Sequence, residues 1–113
     1  MKKFYTKIRT DNHMSINVHG TKEWRLPNGD LHREDGPAIK YADGGEQWWI
    51  NGELHREGGP AITHATGSKF WYINGKRHRE DGPAIEYKNG DKYWFLKYVG
   101  YSEEEFNIKQ DLN

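Results

Sequence analysis

A 23-residue repeat constrains the fold of this chain more than any other feature of its sequence. Three consecutive units align without a gap, and 11 of their 23 positions are identical. The units are NGDLHREDGPAIKYADGGEQWWI (28–50), NGELHREGGPAITHATGSKFWYI (51–73) and NGKRHREDGPAIEYKNGDKYWFL (74–96). Residues 13–27 resemble the second half of a unit, with Pro27 as an inserted residue. Because repeat arrays need atypical ends, we interpret 1–12 and 97–113 as the two caps of one domain.

Each unit contains two turn signals separated by short runs rich in β-forming residues. The Asn-Gly pairs predict type I′ hairpin turns at Asn28-Gly29, Asn51-Gly52 and Asn74-Gly75. A second turn is predicted at Asp43-Gly44, Thr66-Gly67 and Asn89-Gly90. Ser102 and Glu105 form a capping-box pattern that predicts a short helix over 103–110. The fold class is therefore mainly β: a single-layer antiparallel β-meander of about three and a half hairpin repeats, with a short C-terminal helical cap.

Charge and composition bound the classes of partner. Lys plus Arg and Asp plus Glu both total 17, so the zero net charge disfavours nucleic acid and anionic membranes as partners. The chain has no cysteine, and no apolar run has the length of a signal peptide or a membrane span. We therefore expect a cytoplasmic protein that does not act at a membrane.

The repeat motif resembles a known family. The 23-residue period, the Asn-Gly-x-x-His segment, the Gly-x-Ala strand and the glycine followed by aromatic residues are similar to MORN (membrane occupation and recognition nexus) repeats. The His-Arg-Glu-Asp-Gly-Pro-Ala variant, followed by SEEEFN, resembles repeat proteins encoded by tailed bacteriophages. This resemblance implies stacked hairpins in one elongated sheet and a role in binding or scaffolding. For a phage-type protein it also implies a location in the host cytoplasm.

The thrice-repeated His-Arg-Glu segment raises the question of a metal or catalytic site. Equivalent histidines of neighbouring units, namely His32, His55 and His78, lie two strands apart, roughly 10 Å, which is too far for one zinc ion. Three near-identical copies also provide no asymmetric acid-base pair. We therefore predict no metal, no cofactor and no enzymatic activity. The histidines are expected to bond to the backbone, while the arginines pair with acids on adjacent strands and stack on rings.

Aromatic residues supply the candidate binding face. Trp48, Trp71 and Trp94 share one face with Ile50, Ile73 and Leu96, and we expect them to pack as core. The opposite face carries further rings, and an exposed apolar patch of this kind marks a binding or self-association surface. The alternative is that Lys, Arg and Glu stems cover these rings. The predicted binding residues are Arg33, Trp49, Arg56, Phe70, Tyr72, Arg79, Tyr93 and Phe95.

Three functions remain open from the sequence. Aromatic residues interleaved with arginine are typical of protein interfaces, so a host protein or a second copy of the chain is the first expectation. For a phage-type protein the resemblance implies that a host component, such as a defence protein, is bound and neutralised. The second function is sequestration of a small nucleotide signal between repeats, with rings on the base and arginines on the phosphates. The third is a structural or scaffolding role without inhibitory activity.

Overall fold

A computed structural model describes residues 14–112 of the chain. The predicted N-terminal cap (1–12) and His13 lie outside the described residues. The elements are β1 (Met14–Ile16), β2 (Lys22–Trp24), β3 (Ile39–Lys40), β4 (Glu46–Gln47), β5 (Trp49–Ile50), β6 (Glu53–Leu54), β7 (Ile62–Thr63), β8 (Lys69–Phe70), β9 (Tyr72–Ile73), β10 (Lys76–Arg77), β11 (Ile85–Glu86), β12 (Lys92–Leu96), β13 (Val99–Tyr101) and α1 (Glu103–Asp111).

Nine strands form one antiparallel sheet in the order β1-β2-β3-β4-β7-β8-β11-β12-β13. Two small hairpins, β5-β6 and β9-β10, pair separately from it. Sequence neighbours pair except where the sheet passes over a small hairpin, from β4 to β7 and from β8 to β11, as expected for hairpin repeats that stack one upon the next. The prediction of a mainly β, antiparallel repeat fold with a short C-terminal helix is confirmed.

In the first two units the tryptophan marks the point where the chain leaves the nine-stranded sheet. The Trp48 N–H donates to the Ala61 carbonyl in the nine-stranded sheet (2.7 Å). The Trp48 carbonyl instead accepts from the N–H of His55, which directly follows the small hairpin β5-β6 (3.0 Å). Trp71 makes the same change of partner between Ala84 and His78. In these two units the run that contains the tryptophan is therefore divided into two strands with different neighbours, whereas in the third unit Lys92–Leu96 forms the single strand β12.

The Asn-Gly turns follow the prediction in two units. Asn51 and Gly52 have φ of 49° and 81°, and Asn74 and Gly75 have 50° and 78°, as a type I′ turn requires.

At Asn28-Gly29 the prediction of a type I′ turn is wrong, since of these two residues only Gly29 has positive φ, at 96°. The Gly29 N–H donates to the Leu26 carbonyl (2.9 Å), which makes Pro27 and Asn28 the central residues of the turn. Proline fixes φ near −65°, so the insertion of Pro27 excludes the mirror-image turn.

The hairpin pattern continues beyond residue 96, contrary to the predicted cap boundary. Lys97 and Tyr98 adopt φ of 49° and 75° and connect β12 to β13. The Tyr98 N–H donates to the Arg77 carbonyl (2.8 Å), just as the Gly75 N–H donates to Leu54 (2.8 Å) one unit earlier. Stacking on the preceding hairpin therefore imposes the turn on residues that do not favour positive φ.

Little apolar volume is fully buried. Ala38, Ala61 and Ala84 have no exposed surface. Their carbonyls accept hydrogen bonds from the backbone N–H groups of the tryptophans on the neighbouring strand. The other buried apolar side chains of the described residues are Ile39, Ile85 and Phe106. The sheet thus depends on backbone bonds and on stacking at half-buried rings more than on a thick core.

The helical cap forms as predicted and ends one residue later. Ser102 Oγ accepts from the Glu105 N–H (3.1 Å), and Glu105 Oε1 accepts from the Ser102 N–H (3.0 Å). Phe106 is 4% exposed on the side of α1 that packs against β12 and β13. Gln110 Nε2 donates to the Glu80 carbonyl in the preceding loop. The helix thus covers the last unit and its loop.

Candidate functional site

The histidine of each His-Arg-Glu segment joins its own unit to the next one. The Nδ1 atoms of His32, His55 and His78 accept from the backbone N–H of Asn51, Asn74 and Lys97 at 2.9, 3.0 and 2.9 Å. The Nε2 atoms face the glutamate two residues on, at 3.4, 3.4 and 3.2 Å. Because Nδ1 is an acceptor, the proton of the neutral ring is assigned to Nε2, which donates to the carboxylate. The expected backbone partner of these histidines is confirmed.

We expect His55→Phe to lower the free energy of unfolding by about 1–2 kcal/mol, because the Asn74 N–H loses its acceptor. His64→Phe is the matched control. His64 lies 5.2 Å from the Phe70 ring, a contact that phenylalanine keeps, so its change should stay within about 0.5 kcal/mol. Urea unfolding at 25 °C measures both changes. Equal losses in the two variants would contradict the joining role.

The guanidinium groups of the repeat arginines lie over tryptophan rings. The Cζ atoms of Arg33, Arg56 and Arg79 are each 3.9 Å from the ring centroids of Trp24, Trp48 and Trp71. The Nη1 atoms donate to the carbonyls of Pro37, Pro60 and Pro83 at 3.2, 3.2 and 3.1 Å. The expected stacking on rings is therefore present, and two of the three rings, Trp48 and Trp71, are ones that the sequence placed in the core.

A glycine also lies close to the guanidinium group of each arginine. A Cβ atom on Gly36, Gly59 or Gly82 would lie 2.9 Å from the Cζ atom of the arginine three residues earlier. We call this arrangement of tryptophan, arginine and glycine the arginine clamp. The repeated residue before proline is therefore glycine because any larger side chain would collide with the arginine.

The acidic partners of the arginines are mostly local. Arg33 pairs with Asp35 (3.2 Å) and Arg79 with Asp81 (2.9 Å), in the same loop. Arg79 also pairs with Glu86 of β11 (2.9 Å), as the prediction of acids on an adjacent strand requires. The His-Arg-Glu segments lie in loops rather than strands, which explains why pairing within the loop prevails.

One face of the nine-stranded sheet is aromatic. Register places Ile62, Phe70, Ile85 and Tyr93 opposite one another on consecutive strands, so their side chains share this face. Because side chains two positions apart in a strand share a face, the residues two positions after the repeat isoleucines also belong to this face. We define the aromatic face as Tyr41, His64, Phe70, Tyr87 and Tyr93.

Four rings of the aromatic face form a contact row. The centroid distances are 5.2 Å for His64 to Phe70, 5.7 Å for Phe70 to Tyr87 and 5.9 Å for Tyr87 to Tyr93. The last two pairs are edge-to-face, at 86° and 83°. Tyr41, Tyr87 and Tyr93 are 40–49% exposed. The row is thus held by ring contacts within the sheet while its tyrosines face solvent.

The structure divides the eight predicted binding residues into three groups. Phe70 and Tyr93 lie on the aromatic face, and the three arginines lie in the clamps. Trp49, Tyr72 and Phe95 are half-buried, and each directly follows the repeat tryptophan of its unit.

Two of these three rings contact polar or charged side chains. Trp49 Nε1 donates to Gln47 Oε1 (2.9 Å), and the Phe95 ring lies 5.0 Å from the Arg77 guanidinium.

Sequence reasoning missed Tyr41, His64 and Tyr87 as surface residues. Their signal was present, because they occupy equivalent positions of the 23-residue repeat and follow Ile39, Ile62 and Ile85 by two residues. The alternation of a strand alone would have placed them beside Phe70 and Tyr93.

Comparison with models of known protein families, with curated proteins and with solved structures finds no match to this chain. The similarity to MORN repeats and to phage proteins therefore stays a prediction. Within residues 14–112, no three histidine or carboxylate side chains are placed where they could hold one metal ion. No helix of that range has both the length and the apolar character needed to cross a bilayer.

Proposed function

We propose that the chain is a non-catalytic binding protein that contacts a partner protein through the aromatic face. The observation that supports this most directly is the pair of exposed tyrosines in the contact row, Tyr87 (42% exposed) and Tyr93 (49%), which edge-to-face ring contacts hold in place. Tyrosine supplies a large, rigid contact area with little loss of side-chain entropy, and it is enriched where proteins meet. The phage resemblance makes a bacterial host protein, bound and thereby neutralised, the first partner to test.

Ring orientation favours a protein over a nucleotide on this face. Flat ligands such as bases stack parallel to successive rings. Here Phe70, Tyr87 and Tyr93 alternate nearly at right angles, so a planar ligand on one ring meets the edge of the next. The register row that carries this face also contains no lysine or arginine to hold a phosphate; its residues are Glu23, Ile39, Gln47, Ile62, Phe70, Ile85 and Tyr93.

The opposite face of the sheet differs in character. Register aligns Lys40, Glu46, Thr63, Lys69, Glu86 and Lys92 on consecutive strands, and we call this row the charged face. Opposite charges face each other across several of these strand pairs, as on a solvated sheet surface. This contrast between the faces is the reason for placing the partner on the aromatic side.

Site-specific photo-crosslinking tests this placement. We expect p-benzoylphenylalanine at position 87, in place of Tyr87, to form a covalent adduct with a partner protein in bacterial cells. The same group at position 69, in place of Lys69 on the charged face, should form none. The double variant Tyr87→Ser with Tyr93→Ser should abolish capture of that partner by the tagged chain, because it removes the ring contact and exposed area.

The alternatives predict different results in the same experiment. Adducts between two copies of the chain at position 87 would name the chain itself as the partner and favour a scaffolding role. Equal adducts from positions 87 and 69, or none from position 87, would overturn the aromatic face as the contact surface. A nucleotide-sized mass retained in native mass spectrometry would instead favour sequestration.

A further inference from the structure

A groove crosses the other side of the molecule between the second and third units. A cavity of about 550 Å³ lies between their His-Arg-Glu loops, with Trp71 and Ile73 in its lining. A second cavity of about 440 Å³ lies at the hairpin ends and also contacts Ile73. Both include His78. Because both linings contain Ile73 and His78, we call the two adjoining cavities together the Ile73 groove.

The loop end of the groove is acidic. Glu57, Glu80 and Asp81 line it, and their side chains are 78–86% exposed. The two arginines of the same lining, Arg56 and Arg79, lie on tryptophan rings and donate to proline carbonyls. Arg79 also pairs with Asp81 (2.9 Å), so the carboxylates of Glu57 and Glu80 provide the charge that a ligand meets.

The hairpin end of the groove carries two lysines. Lys76 and Lys97 are exposed there, together with Glu53. The equivalent positions of the preceding units are Asp30 and Glu53 for Lys76, and Asn51 and Asn74 for Lys97. The repeat therefore changes its charge at this hairpin, and the groove becomes negative at one end and positive at the other.

The middle of the groove is apolar. Trp71 and Ile73 are half-buried, and the pairing of Ile73 with Lys76 across β9 and β10 places both on the side of the groove. From residue 71 to residue 74 a strand advances about 10 Å. An extended segment of about three or four residues therefore spans this middle part of the groove.

From these features we propose that the Ile73 groove binds an extended segment of a partner protein with opposite charges at its two ends. The segment has basic side chains at the loop end, an aliphatic side chain over Ile73, and acidic side chains at the hairpin end. Charge complementarity determines which way the segment lies, and the apolar middle supplies the buried area. The groove and the aromatic face lie on opposite sides of the sheet, so this site is separate from the one proposed above.

A synthetic peptide measures this binding directly. The probe is a fluorescent, end-blocked peptide of eight residues, with two lysines at one end, leucine in the middle and two glutamates at the other. A control peptide has the same composition with its lysines and glutamates alternating. We expect saturable binding of the first peptide by fluorescence anisotropy, weaker binding in high salt, and at least about fivefold weaker binding of the control.

Variants of the chain locate the site. Lys76→Glu restores the charge that Glu53 has in the preceding unit and should weaken peptide binding about fivefold or more. Lys22→Glu is the matched control, because Lys22 lies opposite Lys40 in the first hairpins and outside the groove lining. The double variant Lys76→Glu with Lys97→Glu should bind a peptide with lysines at both ends as tightly as the unaltered chain binds the original probe.

Several results would overturn the groove proposal. Equal binding of the ordered and alternating peptides would exclude charge order as the basis of recognition, and unchanged binding by Lys76→Glu would exclude the hairpin end. Displacement of the peptide by ATP at an equal concentration would indicate a phosphate site instead. Tyr87→Ser with Tyr93→Ser should leave peptide binding unchanged, which separates a failure of this proposal from a failure of the aromatic face.

Discussion

Phe106→Ala is expected to lower the free energy of unfolding by about 3 kcal/mol, within the range for large-to-small changes at buried phenylalanines. Phe106 is 4% exposed, and α1 packs with it against β12 and β13. Loss of the ring also weakens the position of Gln110, which donates to the Glu80 carbonyl. Urea unfolding monitored by tryptophan fluorescence gives the change in free energy.

The same variant should also associate with itself, because detaching α1 exposes the apolar end of the repeat array. Sedimentation velocity would then show a species larger than that of the unaltered chain at equal concentration. Ile108→Ala is the matched control in the same helix, since Ile108 is exposed and alanine favours helix formation. A stability loss from Ile108→Ala equal to that from Phe106→Ala would contradict the role of the buried ring.

The features predicted correctly from the sequence are those that local chemistry determines. The Asn51-Gly52 and Asn74-Gly75 turns require positive φ at two successive positions, which these residues adopt at low cost. The capping box of Ser102 and Glu105 is likewise local, because both hydrogen bonds join residues three apart. Such signals fix the period of the repeat and the position of its cap.

The features that were missed depend on bonds between units. Lys97 and Tyr98 carry no turn signal, yet His78 Nδ1 and the Arg77 carbonyl accept from their N–H groups and hold the hairpin. Trp48 ends a strand because its N–H and C=O bond to different neighbours, which no window of sequence around it reveals. Tertiary hydrogen bonds outweigh local propensity at these positions.

The candidate site was predicted only in part for a related reason. Strand alternation placed Phe70 and Tyr93 on one face, but it was also carried from Phe70 in β8 to Tyr72, which lies in the separate strand β9. The same rule applied from the repeat isoleucines, for example from Ile85 to Tyr87, would have completed the aromatic face. Arginine beside aromatic residues suggested ligand contacts, whereas the structure directs these guanidinium groups onto Trp24, Trp48 and Trp71.

Gly59→Ala is expected to lower the free energy of unfolding by about 2 kcal/mol, because the new Cβ displaces Arg56 from Trp48 and from the Pro60 carbonyl. The backbone itself tolerates alanine, since φ of Gly59 lies outside the left-handed region. The loss must therefore come from the arginine clamp.

A double-mutant cycle isolates that clamp. Arg56→Ala alone should also lose about 2 kcal/mol, but adding Gly59→Ala to it should change stability by no more than about 0.5 kcal/mol, because the group that the Cβ would strike is gone. Arg56 suits this cycle better than Arg79, which has additional ion pairs to Asp81 and Glu86. Urea unfolding of the four proteins gives the coupling. Additive losses would show that the Gly59→Ala loss does not arise from contact with Arg56, which would contradict the clamp.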